Sequence, residues 1–142
     1  MRVDIGREDP LVSHDLGHVL ALESSTPPDD AAEADLARKR NWFVVMDDTA
    51  GEEAAAPVSG SGYLEWQGFL GDMGTLTAVA HRRSGFGFTA ARLATNDAID
   101  SGLVPQWRSN IDNIAGRLLG QALGYEEIGI HTSVELTRML EV

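Results

Sequence analysis

The chain contains no cysteine, which excludes disulfides, thiolate metal sites and cysteine nucleophiles together. Basic residues are scarce: 11 Lys and Arg stand against 22 Asp and Glu, for a formal net charge of −11. A surface so charged repels phosphate backbones, so no nucleic-acid partner is expected, although it would draw a cationic acceptor such as an amine. The plainer role of the acids is solubility. No apolar run approaches the ~20 residues of a bilayer span. The opening stretch MRVDIGRED lacks the apolar segment of a secretory signal. No membrane association is therefore expected, and a cytoplasmic enzyme is. What remains is ordinary globular composition, 43% hydrophobic and 23% charged over 142 residues. That suits one domain, 1–142, with one core.

Along the chain, Arg2–Arg7 alternates as a short strand would, and Asp9-Pro10 offers a helix start. Apolar residues Leu11, Val12, Leu16, Val19, Leu20 and Leu22 then predict a helix over 10–23. Pro27-Pro28 breaks it, and Asp29 can cap a second helix through DDAAEADLARKR, with acids first and bases last. Trp42–Met46 reads as a buried strand, and Asp47–Pro57 as the turn after it. Strands are expected at Val58–Gln67 and Met73–His81 around a turn at Gly68–Gly71, with Gly60 and Gly62 marking a bulge. Phe88–Ser101 reads as a helix closed by Gly102, and Val104–Arg108 as a strand. Asp112 can cap a helix to Leu123, and Tyr125–Ile130 and Val134–Leu140 have strand character. The sum is a mixed α/β (α+β) sheet, with parallel pairing wherever a helix crosses between neighbouring strands.

The segment that carries chemistry is Leu76–Ala91, LTAVAHRRSGFGFTAA. A strand runs straight into Arg82-Arg83-Ser84-Gly85-Phe86-Gly87, and a helix follows at once. Two glycines let the backbone turn and approach a ligand closely, and amides at the head of the helix converge on one point. Such a turn makes a phosphate site, and Arg82 and Arg83 can add charge-assisted contacts. Neither the dinucleotide fingerprint GxGxxG nor a GK[ST] loop is present. The arginine precedes the glycines, and that order is distinctive.

Arg82-x-x-Gly85-x-Gly87 resembles the pyrophosphate signature of the GCN5-related N-acetyltransferases (GNAT), Arg/Gln-x-x-Gly-x-Gly/Ala. The run Gly102-Leu-Val-Pro-Gln-Trp107, then Asn110-Ile-Asp-Asn113-Ile-Ala, then Leu123-Gly124-Tyr125 is similar to the family's fifth strand, fourth helix and closing Leu-Gly-Phe/Tyr. The wording GLVPQW…DN most resembles FR47-like members. This resemblance implies a GNAT acyl-CoA acyltransferase fold, with about six or seven strands flanked by about four helices. It also implies acetyl-CoA as acyl donor, an amine acceptor, no metal, and an opening where strands four and five splay. Backbone groups near Thr77, Ala78 and Val79 would hold the pantetheine arm. Amides of Arg82, Arg83, Ser84, Gly85, Phe86, Gly87 and Phe88 would hold the diphosphate. Asn113 would contact the pantetheine or order the fourth helix.

Two positions depart from the family pattern: Gly120 stands where members often carry a tyrosine acting as general acid, and Gly116 where a small hydroxyl is common. Glu65 is the candidate general base, assigned to the face opposite Tyr63 and Gln67. Asp72 is a weaker candidate, better read as a turn former. His81 adjoins the loop, and Arg117 can reach toward an adenosine phosphate; both also read as surface residues. His14 and His18 have i, i+4 spacing but no third ligand. Trp66 and Trp107 fit an acceptor pocket or packing equally well. The short C-terminal end suggests a homodimer completing the sheet or pocket. The competing reading is a non-catalytic acyl-CoA-binding or interaction module.

Overall fold

A computed structural model of the chain describes residues 5–47 and 55–129. Within them a sheet of five strands runs in the order β1 (Val12–Ser13), β2 (Asn41–Asp47), β3 (Ala56–Trp66), β4 (Leu70–Thr77), β5 (Val104–Gln106). The first four are antiparallel neighbours, and β5 is parallel to β4 because α3 (Phe86–Asp100) carries the chain back between them. The remaining helices are α1 (Leu16–Ser24), α2 (Pro28–Ala34) and α4 (Ile114–Ala122). The α/β class and the helix count stand; the strand count among the described residues is five rather than six or seven. The strand expected at Val134–Leu140 lies outside the described residues.

Helix α3 covers one face, where Phe43, Tyr63 and Met73 pack with Leu93, Ala94 and Ala98. Helices α1 and α2 and a 3-10 turn at Leu36–Arg38 cover the other, where Val19, Leu22 and Leu36 meet Val44 and Leu76. Leu22 and Leu36 are fully buried, so truncating either to alanine would cost about 2–5 kcal/mol. Gly60 makes room for both: a Cβ there would lie 3.0 Å from Leu22 Cδ2 and 3.1 Å from Leu36 Cδ2. Gly60 thus admits side chains from the helical layer and Gly62 lies against the Asn41 carbonyl and Trp42. Neither is the bulge, because the β2–β3 register shifts between Val45 and Met46, where Val58 of β3 is the extra residue. On the α3 face, Ser59 and Ser61 bond Thr77 and Thr75 across the strands, at 2.9 and 2.8 Å.

Several boundaries moved. Residues 5–7 form no strand, and Asp9 builds a turn by accepting the Leu11 amide, so residues expected to start a helix become β1. Asp15, not Asp9, caps α1 through the Gly17 amide. His14 precedes that helix, so the histidines share no helical face; their Nδ1 atoms bond the Trp42 carbonyl and the Ser13 hydroxyl. Pro27, not Asp29, stands at the start of α2, which stops at Asp35 in the left-handed region (φ 48°). This break turns Leu36 into the core and sends Lys39 to Asp72. Residues 125–129 carry no strand.

Candidate active site

Strands β4 and β5 pair over three residues only, Leu70–Asp72 with Val104–Gln106, and then part. Beyond that point β4 continues to Thr77 paired with β3 but not with β5, while the chain after Gln106 turns away toward α4. The parting leaves a cavity of about 60 Å³ walled by Glu33, Met73, Gly74, Thr75, Trp107 and Ser109. Helix α2 forms one wall because Gly74 has no side chain: a Cβ there would collide with the Ala34 carbonyl. Glu33 then crosses to the start of α4, its Oε1 accepting the Asn110 amide and its Oε2 accepting Asn113 Nδ2, both at 2.6 Å. Asn113 Oδ1 accepts the Gly116 amide and so caps α4, the place expected of Asp112.

At the other end of β4 the loop 82–85 leads into α3. Gly85 sits at φ 82° and Arg83 at φ 64°, both left-handed, and no side chain caps the helix. The amides of Phe86, Gly87 and Phe88 therefore lack helical partners and point outward with the helix dipole. Gly87 brings this turn against β4, where an added Cβ would stand 3.0 Å from Thr77 Oγ1. Arg82, Arg83, Ser84 and Gly85 are exposed. The Arg82 guanidinium is held by Asp30 on α2 at 2.7 Å and by the Thr77 carbonyl at 3.3 Å. Both partners of that ion pair are 42% exposed, so an incoming phosphate can compete for it.

The predicted residues are not all brought together. Thr77 lies on the strand beside the loop. Ala78 and Val79 do not share its edge: the Ala78 amide bonds the Val58 carbonyl at 2.8 Å, and Val79 opens an exposed 3-10 turn. The strand edge facing the parting begins earlier, at Met73. Glu65 pairs with Gly71, six residues from Thr77 and so roughly 20 Å from the loop. It shares strand parity with Tyr63, whose hydroxyl reaches Asp97 on α3 at 2.6 Å, so the assignment to opposite faces is corrected: both belong to the α3 face. Glu65 is exposed and does not line the cavity. Asp72 is no turn former; it lies within β4 and accepts from buried Lys39 at 3.0 Å and from Arg108 at 3.1 Å. Arg117 pairs with Glu127, His81 stacks edge-on against Phe86, and Trp66 is exposed at the end of β3.

Sequence reasoning missed Glu33 and Ser109. Glu33 is one acid in a helix full of them, and Ser109 falls in a loop without a motif. Trp107, weighed as packing or pocket, is both. Its ring leans on Tyr125 at 5.3 Å, and its Nε1 donates to the Gly116 carbonyl at 3.0 Å and to Ser109 Oγ at 3.1 Å. Tyr125 in turn shares a 2.7 Å hydrogen bond with Thr95 on α3, and burial pushes its phenol above the ordinary value, with the Thr95 contact opposing. The ring stays neutral and the indole is braced from behind.

No family model matches this sequence, and no curated protein matches it. Solved structures do. The aminoglycoside N-acetyltransferase AAC(6′)-Iy, in complex with the bisubstrate analogue CoA-S-monomethyl-acetylneamine, superposes with a TM-score of 0.60 at 18% identity, over 86% of this chain and 91% of that one. An acetyltransferase from Trypanosoma brucei gives 0.59 at 14% identity, over 88% and 96%. The aminoglycoside acetyltransferase meta-AAC0020 from an uncultured soil metagenomic sample, solved with sisomicin, gives 0.57 at 15% identity, over 91% and 99%. The fold is that of the GNAT acetyltransferases. Among the described residues, no helix is long and apolar enough to cross a membrane, and no group of three or more acidic or histidine side chains could hold a metal.

Proposed function

We propose that the chain is a GNAT-family, FR47-like N-acetyltransferase that moves an acetyl group from acetyl-CoA to an amine of a small molecule or protein. The observation that carries this reading is the alignment of two features along β4. One is an uncapped helix start behind a left-handed Gly85; the other is a cavity opening where β5 departs. The first fits a diphosphate and the second fits the acyl end of the same ligand.

The reaction is direct attack of the amine on the thioester carbonyl. Positioning between α2, β4 and α4 removes the entropy of encounter, and backbone donors on the free edge of β4 stabilise the oxyanion. Glu33 replaces Glu65 as candidate proton acceptor, being the carboxylate in the cavity wall. The acceptor class follows from charge: a chain of net charge −11 attracts a cationic amine. The aminoglycoside ligands of two neighbours, sisomicin and the acetylneamine analogue, are polyamines of that kind.

The non-catalytic acyl-CoA-binding module remains the second reading, favoured by the glycine at position 120, which offers no acidic hydroxyl. Calorimetric titration with acetyl-CoA, followed by thiol release against a panel of amines, separates the two. Binding with turnover on at least one amine is expected. Binding with none would select the module, and no binding would defeat both.

A further inference from the structure

Aminolysis of a thioester leaves a negative charge on sulfur, and something in the cavity wall must meet it. Most side-chain donors there are already engaged. Ser61 Oγ donates its one hydrogen to the Gly74 carbonyl at 2.9 Å, so the Thr75 hydroxyl must donate to Ser61. Asn113 Nδ2 faces the Glu33 carboxylate, and the Arg108 guanidinium faces Asp72 from an exposed position. The Trp107 N–H is shared between the Gly116 carbonyl and Ser109.

Ser109 is different. Its oxygen receives the indole hydrogen, and among the described residues its own hydrogen has no acceptor. It lies against the first turn of α4, with Oγ 2.9 Å from the point where a Cβ on Gly116 would stand. The absent side chain at 116 leaves the space that this hydroxyl fills. Donation from Trp107 polarises the hydroxyl and makes it a stronger donor, and the α4 dipole favours negative charge nearby.

Resting on the acetyltransferase reading, we infer that Ser109 donates a hydrogen bond to the sulfur of the departing CoA, oriented for that purpose by Trp107. The amine nitrogen bonds to the carbonyl carbon, the C–S bond breaks, and its electron pair goes to sulfur. The amine's proton leaves through Glu33 or water. Ser109 keeps its own proton and only shares it, and the thiolate takes a proton from solvent after release. Trp107 acts as a positioning residue, because its N–H fixes the serine oxygen.

The test compares wild type, Ser109→Ala and Trp107→Phe in two measurements. One is kcat and KM with acetyl-CoA and the best amine of the panel. The other is the titration of the bound CoA thiol, followed by the ultraviolet absorbance of its thiolate. Ser109→Ala is expected to bind CoA as wild type does and to lose roughly 10- to 100-fold in kcat. Its bound thiol should titrate about one pH unit higher than in wild type. Trp107→Phe should move both readouts in the same direction by less. Unchanged kcat and thiol midpoint in Ser109→Ala, with wild type active, would overturn the role of Ser109 and leave the acetyltransferase reading intact. Wild type that binds CoA without turnover on any amine, or fails to bind it, would remove that reading and this inference with it.

Discussion

The indole of Trp107 occupies the space that a side chain at position 120 would need: a Cβ built on Gly120 lies 2.8 Å from Cδ1 and 2.9 Å from Nε1. A flat ring braced by Tyr125 cannot yield as a flexible chain end would. Gly120→Ala therefore sets a helix-propensity gain of up to about 1 kcal/mol against overpacking of about 1–3 kcal/mol. A net loss of about 1 kcal/mol is expected in urea unfolding, with altered tryptophan fluorescence. Stability equal to or above wild type would mean that the indole moves aside freely.

Gly85 stands at φ 82° directly before α3. A valine there is strained by about 1–3 kcal/mol and puts a branched side chain where a diphosphate would lie. Calorimetry on folded Gly85→Val should show CoA affinity reduced at least tenfold. Equal affinity would refute the loop as the diphosphate site.

Glu33 and Glu65 make a paired comparison. Glu33→Gln keeps the shape of the side chain and removes the proton acceptor, so kcat should fall by about 10²-fold or more. Glu65→Gln, at an exposed site outside the cavity, should leave kcat within about twofold of wild type. A reversed pattern in steady-state assays would restore the base that strand alternation had suggested.

Burial, and then the hydrogen bond to Asp97, raise the Tyr63 phenol above its usual value of 10.0. A raised folded-state value favours the neutral ring, so this contribution is complete below pH 10.0 and is lost as pH climbs through the higher folded value. Stability measured by urea titration should decline above that pH. In Tyr63→Phe the decline should be shallower, and identical slopes would exclude Tyr63 as a source.

Much of the fold was legible because its signals are local. The buried run at Trp42–Met46, the alanine-rich helix ending at Gly102 and the strand–glycine–helix passage at 82–88 all depend on near neighbours. Other elements were settled by partners far along the chain. Residues 12 and 13 fall within a helical spacing yet become β1 because β2 offers a ladder at Val44 and Val45, and tertiary pairing overrides propensity. The helix expected through Arg40 ends at Asp35, since Leu36 and Lys39 have destinations in the core and at Asp72. The cofactor loop could be read from spacing alone. The cavity wall could not, because Glu33 meets Asn113 across 80 positions of sequence.

The brevity of the β4–β5 pairing has a consequence for solution behaviour. From Met73 onward the outer rim of β4 presents alternate amides and carbonyls with no adjoining strand among the described residues. Such a rim is a template for any extended chain, including another molecule of the same protein. A ligand carrying its own amides at strand-like spacing would satisfy the rim and deny it to competitors. Saturation with that ligand should thus slow self-association on storage as well as support chemistry.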